Sequence, residues 1–244
     1  IQGLSKVLVL VEIMSHSNSD ECFLLHQRSY GETSLIVDVF TRNNGKMSLI
    51  AKGAKKPRSK FFGYLVPFYK LNITYSGRSE LKTLTSIDRN LLGSGNTMTK
   101  TSYSLLYINE LLIKLLPKDA KQEDLFGLYE IFLDEVNLNK DIELTLRHFE
   151  LDLLDMLGYG FDYDREIDKN QKIESQDGYS FVPERGFRKS QKSYFLGKDI
   201  INIKNRKLNE VPKKYLKEIT TKAICACLDG KDLTSRKIFK SIKQ

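Results

Sequence analysis

The sequence predicts an α+β protein in which a small β domain precedes a helical one. Three observations carry this. The first hundred residues hold five short segments with β-branched, aromatic or alternating apolar positions, separated by turn-forming residues. From about residue 99 the apolar spacing becomes that of helices. Charge changes with it: residues 1–99 carry 13 Lys and Arg against 7 Asp and Glu, residues 100–160 carry 6 against 12, and residues 161–244 carry 20 against 12.

Residues 1–20 form an N-terminal extension in which KVLVLVEIM is either an extra strand or an unpacked linker. That stretch is interrupted by Glu12, is far too short to span a membrane, and lacks a following small-residue cleavage site, so a cytoplasmic protein is expected. The β domain covers residues 21–95. Its strands are ECFLLHQ, SLIVDVF, KMSLIAK, PFYKLNITY and ELKTLTSI, punctuated by SYGE, RNNGK, a basic stretch and SGRSE. Leu71, Ile73 and Tyr75 share one face of their strand, with Asn72 and Thr74 on the other. Asn44-Gly45 is a two-residue hairpin signal. Five short strands in about seventy residues point to a small barrel or sandwich rather than an open sheet.

The helical domain covers residues 96–244. SYSLLYINELLIKLL places Leu105, Ile108, Leu112 and Leu115 near helical spacing before Pro117. DLFGLYEIFLDEV repeats the stripe with Leu125, Leu128, Tyr129, Phe132 and Val136, and DIELTLRHFELDLLDMLGYG repeats it again before Gly158 and Gly160. Glu110, Glu130, Glu143 and Glu150 are expected on solvated helix faces. Residues 161–210 are polar and glycine-containing, with short alternating runs (YSFVPE, SYFLG, IINIK), and suggest a small irregular hairpin insert. Pro212 opens a further helix from Lys213 to Leu228, and Thr234 caps a last short one, SRKIFKSI.

No catalytic constellation emerges. The sequence has no nucleophile elbow, zinc-protease helix, phosphate loop or dinucleotide fingerprint, and His16, His26 and His148 are isolated from one another. Cys22, Cys225 and Cys227 give no disulfide framework, and the apolar surroundings of AICACL make its cysteines small hydrophobes rather than half of a metal site. Neither an enzyme activity nor a cofactor or metal is expected.

The segment AKGAKKPRSKFFG, residues 51–63, carries the strongest functional signal. It packs Lys52, Lys55, Lys56, Arg58 and Lys60 into nine positions and follows them with Phe61 and Phe62. Phosphate attracts Lys and Arg whatever the base sequence, and single strands also stack unpaired bases on aromatic rings. Five-stranded barrels of the OB type bind oligonucleotides through one face and its loops. The alternatives are that the cations are merely solvated and that the two rings anchor the next strand, since adjacent strand residues point to opposite sides. A second, more dilute basic region runs from Arg185 to Lys217, where Arg185, Arg188, Lys189, Lys213 and Lys214 form a candidate secondary patch for DNA or for an acidic protein tail.

The ordered segments FLLHQRSYGETSLIVDVFTRNNGKMSLIAKGAKKPRS, ELKTL, LYINELLIKLLP, LRHFELDLLDMLGYG and GKDLTSRKIF resemble the RecO family of recombination mediator proteins over most of residues 21–242. The resemblance implies an OB-fold domain, then a helical domain carrying a small insert. It implies binding of single- and double-stranded DNA, annealing of complementary strands, and loading of the RecA recombinase onto strands coated by single-strand-binding protein. The implied partners are DNA, RecR and the acidic C-terminal tail of single-strand-binding protein, with RecA engaged indirectly, in the bacterial cytoplasm at the nucleoid. Carried over by position, Lys52, Lys55, Lys56, Arg58 and Lys60 are the DNA-binding residues. There are two departures. Many relatives hold zinc with four cysteines around a stretch like GYSFVPERGF, whereas residues 161–210 here contain neither cysteine nor histidine. Some twenty residues also precede Glu21. The remaining readings are a non-catalytic protein adaptor and a nucleic-acid-modifying enzyme with an unrecognised site.

Overall fold

Alternation of apolar and polar side chains builds five strands that close on themselves. The computed structural model describes residues 17–89, 102–138, 140–192 and 195–236; the candidate strand KVLVLVEIM and the helix expected beyond Arg236 lie outside these. The strands are β1 (Ser17–Tyr30), β2 (Ser34–Thr41), β3 (Gly45–Ala51), β4 (Lys70–Ser76) and β5 (Lys82–Arg89). They form a closed barrel of order β1-β2-β3-β5-β4, in which β3 and β5 run parallel and the other neighbours antiparallel. The five sequence segments thus all become strands, and the barrel, not the sandwich, is the outcome. Leu71, Ile73 and Tyr75 are buried in its interior, as their alternation requires.

Two boundaries differ from the sequence expectation. Ser17–Asp20, assigned to an extension, pair with Ile73–Ser76 of β4 and belong to β1. Their anchor is the Asp20 carboxylate, which accepts hydrogen bonds from the side-chain amides of Asn43 and Asn44 at 2.9 and 2.8 Å. The β2–β3 hairpin has a three-residue loop, Arg42–Asn44, because Thr41 pairs with Gly45. Gly45 has φ +69°, and a Cβ there would sit 1.9 Å from the Ala120 carbonyl oxygen, so no other residue fits.

The chain divides into two compact units, one ending at Gly127 and the other starting at Leu128. Helix α1 (Ser102–Leu115) and the first turn of α2 (Glu123–Asn137) fall in the first unit. Leu105, Ile108, Leu111, Leu112 and Leu116 form its buried stripe, with Leu116 in place of the expected Leu115. A bulge in β1 between Leu24 and His26 frees backbone from the ladder, and the buried Asn109 amide donates to the Leu25 carbonyl at 3.1 Å. Phe126 lies 5.2 Å from Phe23 and 5.4 Å from Phe40 between ring centres, with the Arg42 guanidinium 4.5 Å from its own.

In the second unit, Tyr129 and Phe132 of α2 meet Phe149 of α3 (Ile142–Met156). Glu150 corrects the expectation of a solvated carboxylate. It is fully buried, 2.7 Å from the Arg147 guanidinium, which also donates to Thr220 of α5 (Lys213–Cys227) at 2.6 Å. A buried carboxylate needs such a cation beside it. Cys225 is exposed, while Cys227 is half-buried and its thiol is pushed up to about 11 by that burial.

The insert is more ordered than an irregular hairpin. It contains a three-stranded antiparallel sheet of order β7-β6-β8, from β6 (Gly178–Val182), β7 (Gly186–Lys189) and β8 (Phe195–Leu196), followed by α4 (Gly197–Lys204). Phe161, Tyr163, Phe181 and Phe187 make its aromatic core, with ring centres 4.8–6.1 Å apart along the chain of contacts. The buried Glu166 carboxylate accepts from the backbone N–H groups of Asp168, Lys169 and Gln171, which lower its pKa and order the preceding loop.

Phe61 is 2% exposed within the barrel core, whereas Phe62 is 70% exposed. Phe61→Ala is therefore expected to cost about 3–5 kcal/mol of stability and Phe62→Ala less than about 0.5 kcal/mol, checked by denaturant unfolding.

Candidate nucleic-acid interface

The basic segment is a chain of tight turns between β3 and β4. Backbone bonds between residues three apart recur, each closing a four-residue turn: Ala54 N–H to Ala51, Lys56 to Gly53, Ser59 to Lys56, Phe62 to Ser59 and Tyr64 to Phe61. Gly53 supplies the positive φ, +73°, that the first of these needs. Ala54 and Phe61 enter the barrel's apolar cluster, with Leu65 and Tyr69 packed against it. The loop is thus pinned by its apolar side chains.

Its start is tied to the β1–β2 turn. The Lys55 N–H donates to the Thr33 carbonyl at 2.9 Å, the Gly53 N–H to Ser34 Oγ at 3.3 Å, and the Lys55 ammonium to the Gly31 carbonyl at 3.1 Å. The Glu32-Thr33-Ser34-Leu35 turn and the Ala51-Lys52-Gly53-Ala54 stretch, separate in sequence, are therefore one hydrogen-bonded unit. Further along, the Lys60 ammonium donates to the Thr85 carbonyl of β5 and lies 5.3 Å from the Phe61 ring centre.

Lys52, Lys55, Lys56, Arg58 and Lys60 are all exposed. None forms an ion pair with a described carboxylate, in contrast to nearby barrel cations: Arg28 is 2.6 Å from Asp38, Lys82 3.6 Å from Asp119 and Lys70 3.8 Å from Glu21. No acidic residue occurs between Asp38 and Glu80, so neither the loop nor its flanking strands β3 and β4 supply a carboxylate; Arg42 and Lys70 of the same stretch reach Glu21 instead. Of the two rings, only Phe62 faces solvent. Phe61, counted among the DNA-binding candidates, is core, so its ring cannot stack on a base. Tyr30 at the end of β1 and Tyr64 in the loop are also exposed, and the sequence pattern does not single them out; for Tyr30 the signal is an aromatic beside a turn, in SYGE.

The second basic region is organised differently. Arg188 pairs with Asp168 at 2.9 Å, Lys189 with Asp177, Lys204 with Asp164 at 2.6 Å, Arg206 with Asp152 and Asp155, and Lys213 with Asp141. Of the candidate patch, Arg185 and Lys214 are exposed without a described carboxylate partner, and Lys214 lies 4.9 Å from the Tyr215 ring centre. The same carboxylates answer the question of zinc. Asp164, Asp168 and Asp177 are held by cations and Glu166 by backbone N–H groups, and no Cys or His stands among residues 161–210, so this donor set does not fit the zinc that the resemblance implies for many relatives. An aromatic core occupies the insert instead.

His148 lines a cleft between α2 and α3 with Leu128, Ile131, Phe132, Glu135 and Asp152, and burial lowers its pKa. Glu135 is engaged by Lys140 at 2.9 Å and Asp152 by Arg206 at 2.7 Å. Among the described residues no helix is long and apolar enough to cross a membrane.

A closed five-stranded barrel of this order, followed by helices, defines an OB-type barrel protein with an appended helical region. The family model for the recombination protein O N terminal matches residues 14–89, and that for its C terminal matches residues 98–237. The chain is similar to proteins named DNA repair protein RecO. That of Idiomarina loihiensis is 33% identical over 93% of this chain and 99% of the relative, and that of Vibrio vulnificus is 36% identical over 89% and 91%. The chain belongs to the RecO family, as a member without the zinc-binding cysteines.

The Lys213 ammonium, together with the backbone N–H groups of Leu144 and Glu143, holds the Asp141 carboxyl below the usual aspartate range. A lowered pKa means this cap is complete at neutral pH and is lost as pH falls through it. Asp141→Asn is expected to destabilise at neutral pH, with the difference from the parent shrinking below about pH 4, checked by unfolding across pH.

Proposed function

We propose that this chain is a DNA-binding recombination mediator acting in DNA repair and homologous recombination. The observation that carries the reading is the loop of Lys52, Lys55, Lys56, Arg58 and Lys60, pinned to the barrel by Phe61 and without a carboxylate partner among the described residues. Family membership supports the same conclusion, since the relatives are named as DNA repair proteins.

The chain binds single- and double-stranded DNA by charge. Two complementary strands repel through their phosphates, so annealing requires that repulsion to fall while the base edges stay open to pair. An exposed row of ammonium and guanidinium groups does the first without a deep base-reading pocket that would prevent the second. No covalent step and no cofactor are needed. The protein anneals strands and helps load RecA onto DNA coated by single-strand-binding protein, working with RecR and with the acidic tail of that coating protein. It does so at the nucleoid in the cytoplasm. Arg185 and Lys214, the members of the candidate patch without a described carboxylate partner, extend the anion-binding surface.

Each phosphate contact contributes about 0.7 to the log-affinity slope against log salt on single strands, so all five loop cations give roughly −3.5. Changing Lys55, Lys56 and Arg58 together to Ala is expected to weaken oligonucleotide binding at least about tenfold at moderate salt and to flatten the slope by about 2. Titration of a labelled oligonucleotide at several salt concentrations checks this; unchanged affinity and slope remove these residues from the site.

A further inference from the structure

We infer that Tyr30, Phe62 and Tyr64 form a stacking platform that makes the cationic end of the barrel prefer unpaired over paired strands. The inference rests on the polynucleotide reading above and deepens it, by assigning the site a strand class and a second, non-electrostatic kind of contact.

Three observations converge. First, the large apolar side chains exposed between residues 17 and 89 are Tyr30 at 50%, Phe62 at 70% and Tyr64 at 38%, and all three are aromatic. Of the other large rings of the barrel strands and the loop, Phe23, Phe40, Phe61, Phe68 and Tyr75 are buried, and Tyr69 is partly buried against the core. Exposed rings here are thus not the overflow of a crowded core.

Second, all three belong to the hydrogen-bonded unit that carries the cations. Tyr30 ends β1 and pairs with Ser34, directly before Gly31, whose carbonyl receives the Lys55 ammonium. Phe62 and Tyr64 lie in the loop itself, and their backbone N–H groups donate to Ser59 and Phe61. Third, the burial of Phe61 orders the backbone on which its neighbour Phe62 is displayed outward. A ring held this way binds with little further loss of freedom.

The strand preference follows from where free base faces exist. In a duplex the bases already stack on one another and present no face to a protein ring; in a single strand they do, and each ring–base stack is worth about 1–3 kcal/mol. Cations attract the phosphates of both forms. The two sets of residues therefore separate cleanly: cations set the salt dependence for either form, and rings add a salt-insensitive increment for single strands only.

The test uses the full chain with a labelled oligothymidine and with a duplex of equal length, each titrated at several salt concentrations. Phe62→Ala, and separately Tyr30→Ala with Tyr64→Ala, are expected to weaken oligothymidine binding by about fivefold or more per ring while duplex binding and both salt slopes stay unchanged. Equal losses on the two DNAs, or no loss on the single strand, overturn the inference and leave the polynucleotide reading standing. If the unaltered protein binds neither DNA, that reading falls and this one with it. Because the sequence contains no tryptophan, Phe62→Trp supplies a single reporter. Its emission is expected to be quenched by oligothymidine and not by duplex; quenching by neither contradicts stacking.

Discussion

Phe61 packs among the apolar side chains of the barrel interior, and that contact fixes the geometry of everything around it. A loop bearing five like charges in nine positions resists ordering, because the charges repel and hydrate readily. The opposing force is apolar burial of Phe61 and Ala54 on the barrel side, assisted by hydrogen bonds from Lys55 and Gly53 to the β1–β2 turn. The outcome is a cationic surface with a defined backbone, on which Phe61 turns into the core and Phe62 out to solvent. One anchoring contact thereby decides both the position of the charge and the exposure of the aromatic ring.

The two basic regions of the chain obey opposite rules. Around the loop, the sequence withholds acidic residues from Val39 to Ser79, and Lys52, Lys55, Lys56, Arg58 and Lys60 meet no described carboxylate. In the insert and the helix after it, five cations are spent on structure: Asp164, Asp168, Asp177 and Asp141 each hold one, and Arg206 bridges Asp152 and Asp155. The same economy explains how the insert folds with no cysteine or histidine to bind zinc. Its rings pack against one another, while the Glu166 carboxylate gathers the backbone N–H groups of Asp168, Lys169 and Gln171.

Much of the fold was legible in the sequence, since alternation and helical spacing are local signals. Leu71, Ile73 and Tyr75 announced their burial by period two, and Pro212 announced a helix start. What was not legible depends on partners far away in the chain. Lys189 and Asp177 are 12 residues apart, Arg188 and Asp168 20, Lys204 and Asp164 40, and Lys213 and Asp141 72, so no composition count could separate paired from unpaired cations. Glu150 looked solvated because its neighbour Arg147, three residues back, does not reveal that the pair is buried, with Arg147 donating to Thr220, 73 residues further on. Phe61 and Phe62 were indistinguishable by residue type, and only the path of the loop assigns one to the core. Helix α4 escaped notice because eight residues hold too few periods to stand out from a strand-like run.

The central claim is that charge left uncompensated on one pinned loop, rather than total positive charge, meets the polynucleotide. Lysine-reactivity footprinting by mass spectrometry, on the full chain with and without a saturating oligonucleotide, tests it most directly. The account expects strong protection of Lys52, Lys55, Lys56 and Lys60, with Lys189, Lys204 and Lys213 equally reactive in both states. Protection of the paired lysines with the loop left fully reactive would contradict it.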